Sequence, residues 1–259
     1  MPQKRPDVIV VADANALARA AAERILARLN RSNGRLAVCL TGGSTPGRLY
    51  ELLAGQPYRD ALPWNHIYWF WGDDRFVPHN DPHSNFGMAR RLLLDRVPAP
   101  SGNICPIPTR VETVEEAARL YESELRRFYG GERLLPGRPL FDVVLMGLGP
   151  DGHTASLFPG RAELGEKTRW VVGVPEAGVE PFVPRVTLTF PTLASTREML
   201  FLVSGPSKRK IVSEVLTGAD MPAAHAYSEG ELLWLVDRAA APERGDVAPT
   251  MPSAASREG

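Results

Sequence analysis

The chain has 259 residues, 44% hydrophobic and 23% charged, with 30 basic side chains balanced by 30 acidic ones. This composition suits a globular protein with a substantial core, and the lack of a basic excess argues against a nucleic-acid partner. Any anionic ligand must therefore be held by a few local positive groups.

Short apolar runs alternate with helical patterns along most of the chain. Val8 to Val11 reads as a strand, and Asp13 then caps a helix from Ala14 to about Leu29, with Leu17, Ala21, Ile25 and Leu29 on one face. Leu36 to Leu40 is a second strand. It ends in the turn Thr41-Gly42-Gly43-Ser44-Thr45-Pro46, where Pro46 suits the first turn of a helix through Leu53. His66 to Trp71 is a third strand, followed by a loop from Asp73 to Asp81 and a helix from about Ser84 to Arg96. Thr113 and Glu116 form a capping box before a helix ending near Tyr129. Phe141 to Met146 is the most hydrophobic strand, with Gly147 to Gly152 as its glycine-rich exit.

Later strands are predicted at Trp170 to Val174, Arg185 to Phe190 and Met199 to Val203, with a helix from Ser207 to Leu216. A final helix is predicted over Glu231 to Ala240, packing Leu232, Leu235 and Val236. From Pro242 the chain turns to Pro, Ala, Ser, Arg and Glu, which predicts a single catalytic domain over residues 1–241 and a disordered tail over 242–259. The alternation predicts an α/β fold of three layers around a mainly parallel sheet, with ligands bound beyond the carboxyl ends of the strands. Cys39 and Cys105 form neither a disulfide framework nor a metal pair, which points to a reducing, cytoplasmic location. The N-terminal apolar stretch is too short for a signal peptide, and no window approaches the roughly 20 apolar residues that span a bilayer. No membrane partner is expected. No long exposed apolar helix suggests an interface, so the expected state is a monomer.

Four segments carry chemistry. In the first, Gly42 and Gly43 let the backbone approach a ligand at a helix start, and Ser44 and Thr45 add hydroxyls; a phosphate cradle and a plain capped turn both fit. In Gly72-Asp73-Asp74-Arg75, Asp73 can accept sugar hydroxyls and Arg75 can bind an anion or offset charge on a substrate oxygen. The alternative there is an internal Asp–Arg pair. His153 closes the glycine-rich loop Gly147 to Phe158 and can move protons at neutral pH, with Asp151 placed to orient its ring. Arg185 and Lys208 border predicted strands and are either surface charges or the countercharge for a phosphate. No Gly-x-Ser-x-Gly elbow is present, and no histidines or cysteines show metal-ligand spacing.

In sequence order, these segments resemble the glucosamine-6-phosphate isomerase/6-phosphogluconolactonase family, and specifically its lactonase branch. The resemblance covers about Val8 to Ala240, including Trp71 to Pro78, Ser84-Asn85-Phe86 and Arg185-Val186-Thr187. It implies a single Rossmann-like domain like that of the glucosamine-6-phosphate deaminases. The implied activity is hydrolysis of 6-phospho-D-glucono-1,5-lactone in the oxidative pentose phosphate pathway, without cofactor or metal. It also implies that Gly43, Ser44, Arg185 and Lys208 hold the phosphate, His153 is the base, and Asp73 and Arg75 line the sugar. The family's usual glutamate after the first aspartate is Asp74 here. Relatives often carry arginine where this chain reads His225-Ala226-Tyr227. Two other readings stay open: a deaminase, whose glutamate and tyrosine positions hold Phe158 and Arg75 here, and a non-catalytic sugar-phosphate sensor.

Overall fold

The first strand, β1 (Asp7–Val11), leads into α1 (Ala14–Leu29), whose start is fixed by Asp13 accepting the Ala16 N–H at 2.8 Å. Next come β2 (Leu36–Leu40), α2 (Ser44–Leu53), the short α3 (Tyr58–Ala61) and β3 (Ile67–Trp71). The predicted loop after Gly72 begins with a three-residue strand, β4 (Asp73–Arg75), and α4 (Asn85–Leu92) follows the Ser84 cap. Helix α5 (Val114–Tyr129) has half of the expected capping box. Thr113 accepts the Glu116 N–H, whereas the Glu116 carboxylate reaches back to the N–H of Glu112 rather than Thr113. The rest runs β5 (Val143–Met146), β6 (Val171–Val174), β7 (Arg185–Leu188), α6 (Phe190–Ala194), β8 (Glu198–Val203), α7 (Arg209–Leu216) and β9 (Glu231–Asp237). This computed structural model describes residues 6–31 and 34–243, so the tail predicted from residue 242 lies, beyond Glu243, outside the described residues.

Six strands pair in parallel in the order β1-β9-β8-β5-β2-β3, and β4-β7-β6 form a small antiparallel sheet. Helices lie on both faces of the large sheet. On β3, Tyr68 and Phe70 point to Phe128 of α5, while Trp71 points the opposite way to Phe86 of α4, as strand alternation requires. The core is continuous through the large sheet, with Phe201 and Trp234 stacked 4.2 Å apart between β8 and β9. Among the described residues no helix is long and apolar enough to cross a membrane.

The segment predicted as a last helix is instead β9, inserted between β1 and β8. Leu233 to Val236 are all buried, because a strand inside a parallel sheet packs on both faces. Its apolar run therefore lacks the alternation that marks a half-buried strand, and the spacing of Leu232, Leu235 and Val236 imitates a helix.

Candidate active site

The site lies past the carboxyl ends of β2, β3 and β5. Strand β2 ends at Thr41, where the buried Tyr50 hydroxyl donates to the Thr41 carbonyl at 2.7 Å and accepts its N–H at 3.1 Å. Tyr121 holds the end of β3 likewise, through both backbone groups of Trp71. Burial raises both phenols far above their ordinary range, so they stay protonated donors. Gly43 then caps α2 at φ +106°, with no side chain among the described residues bonded to the first helical N–H groups. Gly42 lies against Asn85: a Cβ there would stand 2.0 Å from the Asn85 amide oxygen. Thr41, Gly42 and Gly43 line the cavity, whereas Ser44 and Thr45 lie just beyond its lining, in the first turn of α2.

The two aspartates after β3 do different work. Asp74 is buried beneath the start of α4, accepting from the N–H groups of Arg75, Asn85 and Phe86 and from the Ser84 hydroxyl. Burial pushes its carboxyl up to about 6, against the pull of those N–H donors. Asp73 turns to the cavity. One of its carboxylate oxygens accepts from Ser156 at 2.7 Å and the other from the Asn85 amide at 3.3 Å. Arg75 donates to the His83 carbonyl and to Asn85 Oδ1, and its Nε has no partner among the described residues. The internal Asp–Arg pair that the sequence allowed does not form. Neither aspartate accepts from the Arg75 guanidinium.

After β5 the glycine-rich loop turns back on itself, with the Gly149 N–H donating to the His153 carbonyl. His153 Nδ1 meets Asp151 Oδ1 at 2.5 Å, and the imidazole lies 4.7 Å from the ring of buried Phe158. Burial opposes ionisation of Asp151, but its bonds to His153 outweigh this and hold the carboxyl below its usual range. With Nδ1 committed to Asp151, Nε2 is the ring nitrogen left to take a proton. Ala155, also on the cavity wall, sits at φ +50°, a left-handed conformation that costs an L-residue about 1–2 kcal/mol. The neighbouring anchors hold it there: Thr154 on the Gly147 carbonyl and Ser156 on Asp73.

Arg185 and Lys208 close the ring of contacts. Arg185 is only 2% exposed, and its guanidinium donates to the carbonyls of Val179, Pro181 and Val183, with no carboxylate partner among the described residues. Burial and the facing Arg75 lower its pKa. The two arginines are register partners across β4 and β7. Lys208 donates to the Leu148 carbonyl at 2.5 Å, and burial lowers its pKa against the opposing charge of Asp151.

Asp73, Arg75, His153, Arg185 and Lys208 line one open cavity of about 370 Å³, and Asp151 stands behind His153. Sequence reasoning missed Asn85 as a site residue, and Val179 and Glu180 on the β6–β7 loop. Asn85 directly after the capping Ser84, within the Ser84-Asn85-Phe86 segment of the family resemblance, is a signal for the first; the loop carries none. Among the described residues no three His, Cys, Asp or Glu side chains group as a metal site would.

The model of the family described as glucosamine-6-phosphate isomerases/6-phosphogluconolactonase matches residues 12–234. A 6-phosphogluconolactonase of Synechocystis sp. is 40% identical over 243 residues, covering 91% of this chain and 97% of the relative. The crystal structure of 6-phosphogluconolactonase from Thermotoga maritima superposes with a TM-score of 0.77 at 32% identity, over 90% of this chain and 100% of that one. A monomeric glucosamine-6-phosphate deaminase shares the fold, with a TM-score of 0.74 at 22% identity over 90% of this chain and 98% of its own.

Proposed function

The chain belongs to the glucosamine-6-phosphate isomerase/6-phosphogluconolactonase family, and from that membership and the site we propose that it hydrolyses 6-phospho-D-glucono-1,5-lactone to 6-phospho-D-gluconate. One observation carries the reading: a carboxylate-held imidazole and two partly desolvated cations, neither bonded to a carboxylate among the described residues, share one cavity wall. A buried cation without a counterion favours an anionic ligand. The substrate phosphate docks at the Gly42–Gly43 turn, where the helix start offers free N–H groups, with Arg185 and Lys208 as countercharge and Ser44 and Thr45 at the rim. That remote anchor aligns the lactone carbonyl near His153.

His153 Nε2 takes a proton from water as the water attacks the acyl carbon. Asp151 fixes the tautomer and stabilises the imidazolium. Negative charge gathers on the former carbonyl oxygen, where Arg75 offers donors, and Asp73 accepts a sugar hydroxyl. Collapse of the intermediate breaks the ring C–O bond, and the imidazolium returns its proton to the departing oxygen. The deaminase alternative needs an acid where the buried Phe158 packs on His153, which favours the lactonase.

NMR of the lactone in buffer, with and without protein, tests the proposal, and opening faster than the spontaneous rate is the expected result. Binding of 6-phosphogluconate without any acceleration would favour a sensor instead.

A further inference from the structure

Asp73 and Arg75 stand two residues apart on β4, so their side chains leave the same face of the strand. In a partly buried site such a pair is strongly attracted, and a salt bridge is the expected outcome. Asn85 is in the way. Its Oδ1 accepts from Arg75 Nη1 at 2.6 Å, and its Nδ2 donates to the Asp73 carbonyl at 2.9 Å and to Asp73 Oδ1 at 3.3 Å. A guanidinium only donates and a carboxylate only accepts, so one orientation of the amide serves both. The residue is locked in place: it is 2% exposed, its backbone N–H is held by Asp74 at 2.6 Å, and its amide abuts Gly42. The other hydrogen bonds of the two side chains, Ser156 on Asp73 and the His83 carbonyl on Arg75, are to neutral groups as well, and the nearest further charge, Arg185, is a cation that acts on both.

We propose that Asn85 is a positioning residue for the hydrolysis, a neutral spacer that keeps Arg75 from collapsing onto Asp73. An arginine neutralised by a carboxylate gives little of its charge to an oxygen that becomes negative during the reaction. One held by an amide and a carbonyl keeps that charge while its direction is fixed. The spacer also leaves Asp73 an acceptor for the sugar. This inference rests on the lactonase reading and on Arg75 facing the reacting oxygen.

The test is a double-mutant cycle in kcat between Asn85→Ala and Asp73→Asn, with Asn85→Asp as a variant of unchanged size. N85A is expected to lower kcat roughly 10- to 100-fold, below the roughly 10²–10³ of losing an oxyanion donor outright because Arg75 itself remains, with the affinity for 6-phosphogluconate nearly unchanged. In the D73N background, where no carboxylate is left for Arg75 to meet, the same change should cost less than about threefold. N85D, which puts a carboxylate directly on Arg75 but leaves the Asp73 carbonyl and Oδ1 without their amide donor, should lose a similar factor in kcat, read at a temperature where thermal melts show the variant folded. Equal N85A penalties in both backgrounds would mark Asn85 as a scaffold residue only and overturn the proposal, as would N85D with wild-type kcat. Wild-type protein that fails to accelerate lactone opening refutes the functional reading itself. An active wild type with an equally active Arg75→Met refutes the role of Arg75 alone.

Discussion

Replacing His153 by alanine separates catalysis from stability at one position. A single general base contributes about 10²–10⁴ in rate, or roughly 3–5 kcal/mol of barrier at 1.36 kcal/mol per decade. The structural loss is far smaller. The ring is partly solvated and rests on the Asp151 bond, the Phe158 ring and the Gly149 backbone, so the folded state should lose about 1 kcal/mol. Asp151→Asn completes the cycle. Its side-chain oxygen can still accept the His153 backbone N–H, but the charge beside Nδ1 is gone. Removing the carboxylate of a buried catalytic triad costs about 10⁴; Asp151 is partly exposed, so about 10–100-fold is expected here. If Asp151 acts only through the imidazole, D151N on top of H153A should cost almost nothing. Initial rates by NMR, corrected for spontaneous opening, give all four corners, and thermal melts confirm folding. H153A within tenfold of wild type would refute the base assignment, and additive losses would refute the assignment of Asp151 as the partner of His153.

Lys208→Met should raise KM for the phosphorylated lactone about 10- to 100-fold, the value of one charge-assisted bond, with kcat little changed. The unphosphorylated lactone should not discriminate between the two proteins, and an unchanged KM removes Lys208 from the phosphate site. Glu198, buried between β8 and α1, pairs with Arg24 and with Arg28 at 2.9 Å, so Glu198→Gln should cost about 2–3 kcal/mol in urea unfolding. That lies below the usual loss for a broken buried pair, because both arginines reach solvent and keep Glu231; a loss under about 0.5 kcal/mol would show the network to be idle. Asp74 carries a pH signature. Its folded pKa of about 6 exceeds the ordinary carboxylate value of 3.8, so its contribution is fully present below about pH 4 and is lost as pH rises through 6. Wild type should therefore gain up to about 3 kcal/mol on Asp74→Asn between pH 7 and pH 4, and a constant gap would contradict the burial argument.

Much of this molecule could be read from its sequence. Glycine turns, Asp13 and Thr113 announced themselves at element ends because their physics is local. The catalytic candidates stood just past strand ends, where a parallel sheet places ligands. What stayed hidden depended on distant partners. Asp-Asp-Arg has no intrinsic preference for a strand and becomes β4 because β7 lies beside it. Adjacent in sequence, Asp73 and Asp74 differ only because successive strand residues face opposite sides, toward the cavity or toward the start of α4. The apolar run of β9 gave no clue to its burial on both faces. Glu180 reaches the cavity on a loop whose course is anchored by three carbonyls on Arg185.

The facing arginines of β4 and β7 set two like charges across one seam of the small sheet, with Asp73 and Asp74 opposing them. Two like charges side by side in a sheet oppose the pairing they belong to. Replacing Arg185 with an apolar residue would ease that repulsion but leave the carbonyls of Val179, Pro181 and Val183 without their donor, so the loop that this arginine anchors works against its loss. On the proposed reading, a bound phosphate would act on this small sheet as a structural counterion does elsewhere. Phosphorylated ligands should then raise the melting temperature of the protein.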